Sequence, residues 1–235
     1  GRGKRMGTLT KNLPKCRTIF NGKELIQWQI DALKKAGIND IAIVRGYLAN
    51  TFDFNCKYFD NKRWAETNMV MSLLAAKEWL CNYDCISSYS DIIYSSNAVS
   101  RLINSSSDIA ITYDPNWKTL WNLRFNDPLS DAETFKVRNN ILSEIGNRAL
   151  SENEIEGQYM GLIKYSKKGW VLINNHLSRF SEHELYKMDM TTLLQSLIDA
   201  GIKVNAIPIK DNWYEIDSES DLKKYNSINN IAPIT

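Results

Sequence analysis

Two groups of side chains have the types and spacing to do chemistry. The chain opens GRGKRMGTLTKNLPK over residues 1–15, a glycine-containing turn crowded with cations. Gly1 and Gly3 let a backbone come close to an anion and turn its N–H groups inward, as a peptide nest does. Lys4, Arg5 and Lys15 add mobile positive charge. Such a loop suits a nucleoside triphosphate, and taken alone it is also an ordinary solvated segment. The second group is acidic. Asp91 follows the apolar run CISSY at residues 85–89, and open α/β sheets place their ligands beyond the C-terminal ends of strands. A carboxylate there holds a metal or caps the next helix or turn. Mg²⁺ takes one or two protein carboxylates and fills its octahedron with water and substrate phosphates. Asp217, in WYEID at residues 213–217, is the candidate partner. Alternation of side chains along a strand sends Tyr214 and Ile216 to one face and Trp213, Glu215 and Asp217 to the other. Glu215 is then either a neighbour of the metal ligands or a surface charge.

Holding these groups requires helices and strands in alternation, the pattern of a mostly parallel sheet covered by helices. Residues 23–36 place Ile26, Ile30 and Leu33 on one helical face, and Gly37 stops that helix. Residues 40–45 (DIAIVR) form a strand, and residues 68–81 a second helix turned inward at Val70, Leu73, Leu74 and Leu80. Residues 85–89 are a strand that delivers Asp91, and residues 109–113 another. Residues 134–145 read as a hairpin turning at Asn139-Asn140. Residues 159–164 are a further strand. Met190, Leu193, Leu194, Leu197 and Ile198 repeat as an amphipathic helix that Asp189 caps and Gly201 closes. Strands at 204–209 and 213–216 and a helix from about 219 to 226 end the pattern, and the polar stretch 146–154 is a surface loop.

The residues 1–15 also carry a resemblance. The nucleotidyltransferases that activate sugar phosphates and phosphocholine share a signature GxGxR(M/L), a short spacer, then PK. Gly1, Gly3, Arg5, Met6, Pro14 and Lys15 fill it in order, with Thr10 in the spacer. The same family has an aspartate closing its second strand and a late W-x-[ED]-[IV]-D motif before a D-L helix start, matched by Asp91 and by Asp217 with Asp221-Leu222. One branch is closest in pattern, the cytidylyltransferases acting on phosphocholine, aminoethylphosphonate and related compounds. Glu66-Thr67-Asn68 followed by Ser72-Leu73 resembles that branch, as does the segment 127–133 (DPLSDAE). The resemblance implies a Rossmann-like three-layer αβα sandwich with a mixed, mostly parallel central sheet, formed by a single domain over residues 1–235. The family places a strand before the loop, so the first strand is expected to be absent from this chain.

The resemblance further implies transfer of a cytidylyl group from CTP to a small phosphorylated or phosphonate acceptor with Mg²⁺ as cofactor. Arg5 and Lys15 would neutralise the triphosphate and its transition state. Gly1, Gly3, Lys4, Arg5, Asn68 and Asp91 would bind the nucleotide, and Asp91 and Asp217 the metal. Asn68 before an apolar helix is equally explained as its N-cap. Glu156 before Gly157, with Tyr159 and Gly161, matches the acceptor-side strand of the family. Tyr113, Trp117 and Trp121 offer aromatic faces to a quaternary ammonium, or serve as packing. Asp131 and Glu133 would meet an amine, whether choline-like, aminoethyl or that of an amino-acid phosphate such as glutamine phosphate. A sugar-1-phosphate enzyme using UTP or dTTP and a non-catalytic nucleotide-binding subunit share these motifs.

Composition narrows the rest. A net charge of +2 argues against a nucleic-acid partner. No apolar run approaches the roughly 20 residues of a membrane helix. No signal peptide is visible, and a cytoplasmic location is expected. Cys16, Cys56, Cys81 and Cys85 with His176 and His183 complete no zinc set, so the cysteines read as free thiols. The oligomeric state is left open, a homodimer included. An Asn-, Lys- and Ile-rich composition accords with an AT-rich bacterial genome and with surface-polysaccharide chemistry by association alone.

Overall fold

In the computed structural model, which describes residues 2–227, the apolar alternation becomes twelve strands and nine α-helices among the described residues. In chain order come β1 (Ile19–Phe20), β2 (Lys23–Glu24), α1 (Leu25–Lys35), β3 (Ala42–Arg45), β4 (Lys57–Asp60), α2 (Met69–Ala75) and α3 (Lys77–Asn82). Then follow β5 (Cys85–Ser88), β6 (Ile92–Ile93), α4 (Ser96–Ile103), β7 (Ile109–Asp114), α5 (Trp117–Arg124), β8 (Glu133–Arg138) and β9 (Ile141–Arg148). The last are β10 (Gln158–Tyr165), α6 (Lys167–Leu177), α7 (Glu182–Lys187), α8 (Met190–Asp199), β11 (Asn205–Pro208), β12 (Tyr214–Glu215) and α9 (Glu219–Asn226). These fall into two units: among the described residues, 2–65, 89–100 and 211–227 form the first, and 66–88 and 101–210 the second.

In the first unit, β1 and β2 form an antiparallel hairpin turning at Asn21-Gly22, both with positive φ. An Asn-Gly pair suits that turn because both central residues of a type I′ turn need the left-handed region. The hairpin feeds α1, which ends at Gly37 (φ 91°), where the N–H of Ile38 bonds back to Leu33 O. Ile26 and Ile30 of α1 pack with Cys16, Ile41, Ile43, Phe52 and Phe54. Strands β3 and β4 pair in parallel, and β6 and β12 antiparallel. Phe20, Tyr214 and Tyr225 meet at centroid distances of 5.2–6.1 Å, which seats β12 between β1 and α9.

The second unit is built on a mixed six-stranded sheet, order β5-β10-β7-β11-β9-β8, flanked by helices. The α/β class holds, with a different balance of directions from the one expected. Only β7 and β11 pair in parallel in this sheet, and the other four neighbouring pairs are antiparallel. For one of these four, β8 with β9, the cause is connectivity. Asn139 and Asn140, at φ 52° and 62°, close a tight hairpin between β8 and β9, and a tight turn can join only antiparallel strands.

The helix read across residues 68–81 is two, α2 and α3, parted at Ala76 (ψ 15°). An Ala75-Ala76 pair favours helix locally, so the break comes from tertiary packing. Val70 and Leu80 are buried while Leu73 and Leu74 are half-buried. The expected loop at 146–154 is partly strand, since β9 runs to Arg148. Helices α4 to α7 were not anticipated, although α6 carries a readable signal. Ser166 caps it by accepting the N–H of Gly169, and Trp170, Ile173 and Leu177 are buried at helical spacing. No described helix is long and apolar enough to cross a membrane.

Candidate active site

The carboxylates are brought together by one short ladder. Strands β6 and β12 pair Tyr214 with Ile93 and Glu215 with Ile92. The bond from Ile216 N–H to Asp91 O, 2.8 Å, continues that register, so Asp91 and Asp217 leave the ladder at the same end. Buried Gln29 of α1 holds β6 from behind, its amide donating to Tyr89 O (2.8 Å) and Ile92 O (2.6 Å). Beyond β12, Ser218 and Asp221 form a capping box on α9, and the N–H groups of Asp217 and Ser218 both donate to Asp221 Oδ2. The helix cap thereby orients the backbone that carries Asp217.

The N-terminal loop arrives from the other side of the same unit. Residues Lys4–Thr10 form tight turns kinked at Gly7 (φ 55°, ψ −124°), anchored by fully buried Met6. Gly3 sits at φ 65°, and its carbonyl accepts the Thr10 hydroxyl at 2.8 Å. A Cβ on Gly3 would stand 2.9 Å from Lys15 Cβ. The glycine thus admits the Lys15 stem, a role different from the phosphate approach expected of it. Gly1 lies outside the described residues. Gly3→Ala is expected to lose about 1–2 kcal/mol from the left-handed backbone alone and to displace Lys15. Urea unfolding and the rate of pyrophosphate release would both register it, and unchanged values in both would refute the packing role.

Lys15 is 4% exposed. Its Nζ donates to Asp91 Oδ2 at 2.6 Å and to Asp217 Oδ1, while the exposed Arg5 guanidinium reaches Asp217 Oδ2. The lysine expected as mobile charge is therefore buried and doubly ion-paired, and Arg5 is the exposed cation of this centre. Burial disfavours the ammonium, yet Asp91 and Asp217 hold its pKa above the ordinary lysine value. Burial likewise pushes Asp91 upward, and the charge and hydrogen bond of Lys15 more than offset it, so Asp91 lies below the usual carboxylate value. Among the described residues no group of three or more His, Cys, Asp or Glu is arranged for a metal. Two carboxylates on one spot are nonetheless what Mg²⁺ requires of a protein when phosphates supply the rest. Lys15 takes one oxygen of each.

Beside this centre a hollow of about 230 Å³ is lined by Arg2, Lys4, Gly7, Thr8, Thr10 and Lys11. Three cations and two hydroxyls around a small space suit a polyphosphate. Lys4 is expected here, and Arg2, Thr8 and Lys11 are further polar side chains of the same basic run.

In the second unit, Asn68 N-caps α2, its Oδ1 accepting from Met69 N–H and its amide donating to Lys187 O. Tyr113 and Tyr159 lie opposite each other on β7 and β10, and Tyr113 stacks on Phe135 at 5.0 Å. Glu156 accepts the N–H of Val137 at 2.7 Å. Trp117 and Trp121 are buried and meet edge to face, with Arg124 5.4 Å from the Trp121 ring and Trp121 Nε1 donating to Asp131. Glu133 is the perturbed group: burial first, then the charges of Asp189 and Asp131, push its pKa up to about 7. A carboxyl raised in the fold contributes stability that is complete below its unfolded value and lost as pH rises through about 7. Glu133→Gln is accordingly expected to melt higher than the parent protein at pH 8 and to match it in acid, and equal melting at both would exclude the perturbation.

Chemistry by fixed charge and positioning, without an activated nucleophile, is what nucleotidyl transfer needs. The fold and this centre define a nucleotidyltransferase. More particularly, the chain belongs to the family of MobA-like NTP transferase domains, whose family model matches residues 1–151. It is 39% identical to the CTP:phosphoglutamine cytidylyltransferase of Campylobacter jejuni, over 95% of each chain. A choline-phosphate cytidylyltransferase of Streptococcus pneumoniae is 40% identical over 35% of this chain and 38% of its own. The structure of the inositol-1-phosphate CTP transferase from T. maritima superposes with a TM-score of 0.75 at 20% identity, over 97% of this chain and 93% of that one, which bears on the fold.

Proposed function

We propose that the protein is a Mg²⁺-dependent cytidylyltransferase joining CTP to a small amine-bearing phosphorylated acceptor, with an amino-acid phosphate such as glutamine phosphate as the first candidate. The acceptor's phosphate oxygen attacks the α-phosphorus of CTP in line, the bond to the β-phosphate oxygen breaks, and pyrophosphate leaves. The observation that carries this reading is Lys15 bridging Asp91 and Asp217 beside the cationic loop. Likeness over nearly the whole chain to a CTP:phosphoglutamine enzyme supports the choice of nucleotide and acceptor.

In this reading Arg2, Lys4 and Lys11 bind the β- and γ-phosphates, and Arg5 swings between Asp217 and the α-phosphate. Lys15 keeps two carboxylates side by side that would otherwise repel. Mg²⁺, held by Asp91 and Asp217, would supply Lewis-acid polarisation of the α-phosphate. Asp131 and Glu133 face the acceptor's amine, a cation that would draw Glu133 back into its charged form. Asn68, Tyr113, Trp117, Trp121, Glu156 and Tyr159 complete the nucleotide and acceptor contacts. We take residues 1–235 as one nucleotidyltransferase domain working in the cytoplasm, with its CDP conjugate consumed in decorating a surface polysaccharide.

The test is pyrophosphate release with Mg²⁺ from each of four NTPs, against amino-acid phosphates, phosphocholine, aminoethylphosphonate, polyol phosphates and hexose-1-phosphates. Turnover confined to CTP and an amine-bearing acceptor is expected. Preference for UTP or dTTP with a hexose-1-phosphate would replace this reading, and nucleotide binding without release would refute catalysis.

A further inference from the structure

Directly after β3, the pair Gly46-Tyr47 does something that neither the loop motif nor the carboxylates require. The Tyr47 hydroxyl donates to Lys11 O at 2.7 Å, with Thr10 O a longer 3.3 Å away. The Arg2 guanidinium lies 5.6 Å from the centre of its ring. The opposite constraint comes from Trp64, edge to face with Tyr47 at 5.4 Å. Trp64 can come that close because residue 46 has no side chain: a Cβ on Gly46 would stand 2.5 Å from Trp64 Cβ. Arg2, Thr10 and Lys11, half of the residues lining the cationic hollow, are thus held by one tyrosine.

We propose that Tyr47, braced by Trp64, is a positioning residue that sets the cationic loop for the terminal phosphates of the nucleotide. This rests on the cytidylyltransferase reading for the identity of the ligand and on the structure for the contacts. An exposed arginine left free samples many rotamers, and ordering it on the phosphate costs entropy at the moment of binding. The Tyr47 ring keeps Arg2 over one face, and the hydroxyl keeps the Thr10-Lys11 backbone from drifting, so that cost is met during folding. The Tyr47 contacts run to the loop and to Trp64, hence their loss weakens an arrangement made equally in the ground and transition states. Uniform binding of that kind shows in KM and leaves kcat in place.

The experiment measures pyrophosphate release by the full chain and by Tyr47→Phe, Tyr47→Ala and Arg2→Ala, varying CTP and acceptor in turn. Losing one net hydrogen bond, Tyr47→Phe should raise the CTP KM about fivefold, with kcat and the acceptor KM unchanged. Tyr47→Ala should raise it further, and in the double variant with Arg2→Ala the two rises should add only in part, because the ring–guanidinium contact is lost once. Titration with inorganic tripolyphosphate by calorimetry gives a second readout that needs no turnover. Amide exchange of residues 4–12 in the free protein gives a third. Weaker tripolyphosphate binding and faster exchange in Tyr47→Phe support the assignment. An unchanged CTP KM in both Tyr47 variants, or equal rises for CTP and acceptor with falling kcat, would overturn it. Should the parent protein release no pyrophosphate from any NTP, the cytidylyltransferase reading fails. The assignment then stands if tripolyphosphate binds the parent more tightly than Tyr47→Phe, and falls if it does not.

Discussion

Asp217→Asn is expected to slow pyrophosphate release by about 10²- to 10³-fold, the cost of removing one preorganised electrostatic group, while the protein stays folded. Asp217 receives both Lys15 and Arg5, so replacing its charge removes one of the two carboxylates proposed to hold Mg²⁺ and leaves two cations facing a neutral amide. Folding survives because the backbone N–H of Asp217 still donates to Asp221, and Lys15 still has Asp91. The asparagine also keeps the shape of the side chain. Measured rates at saturating Mg²⁺ and CTP, with circular dichroism as the control, separate the two effects. A variant that kept the parent rate would remove Asp217 from the metal site, and with it the pairing with Asp91 on which the mechanism depends.

Lys15→Met has the opposite profile, in which stability and activity fall together. Removing one partner of a buried ionic cluster costs about 3–5 kcal/mol when it leaves uncompensated charge, and here it leaves two carboxylates turned toward each other. The pH dependence of stability should also reverse. In the parent protein Asp91 sits below its unfolded value, so its contribution is present at neutral pH and is lost as pH falls. Without the lysine, burial governs Asp91 and its folded value moves above the unfolded one. Stability of the variant then increases as pH falls and protonation relieves the repulsion. Urea unfolding of both proteins at neutral and mildly acidic pH is the measurement. Parallel pH profiles, or a variant as stable as the parent at neutral pH, would show that Lys15 does not balance this pair. Mg²⁺ should raise the melting temperature of the variant more than that of the parent, since Lys15 no longer occupies one oxygen of each carboxylate.

Much of this protein was legible before its coordinates. The α/β class follows from apolar runs separated by turn residues, and the hairpin at Asn139-Asn140 from a pair of side chains suited to two consecutive positive φ values. Helix α9 and the end of α1 were equally readable, because caps and C-terminal glycines are signals within a few residues of the structure they make. The chemistry-bearing types were visible too: Arg5, Lys15, Asp91 and Asp217 lie in short motifs whose residues are adjacent in the chain. Helices α4 and α5 were hidden by their mixed composition, and the division at Ala76 by a local preference that points the other way.

What the chain order left undecided was who meets whom. Lys15 joins residues 76 and 202 positions away, and no local pattern distinguishes a lysine destined for two carboxylates from one destined for solvent. In the six-stranded sheet, the directions outside the β8–β9 hairpin, three antiparallel pairs to one parallel, were likewise settled by which distant runs pair. Gly3 and Gly46 make the same point in reverse. Each announces a backbone that must come close to something, and only the folded chain names the Lys15 stem and the Trp64 ring. Local conformation is set by interactions within a few residues and is written in sequence. Charge pairing and aromatic bracing are set by contacts whose partners come together only when the whole hydrophobic core closes.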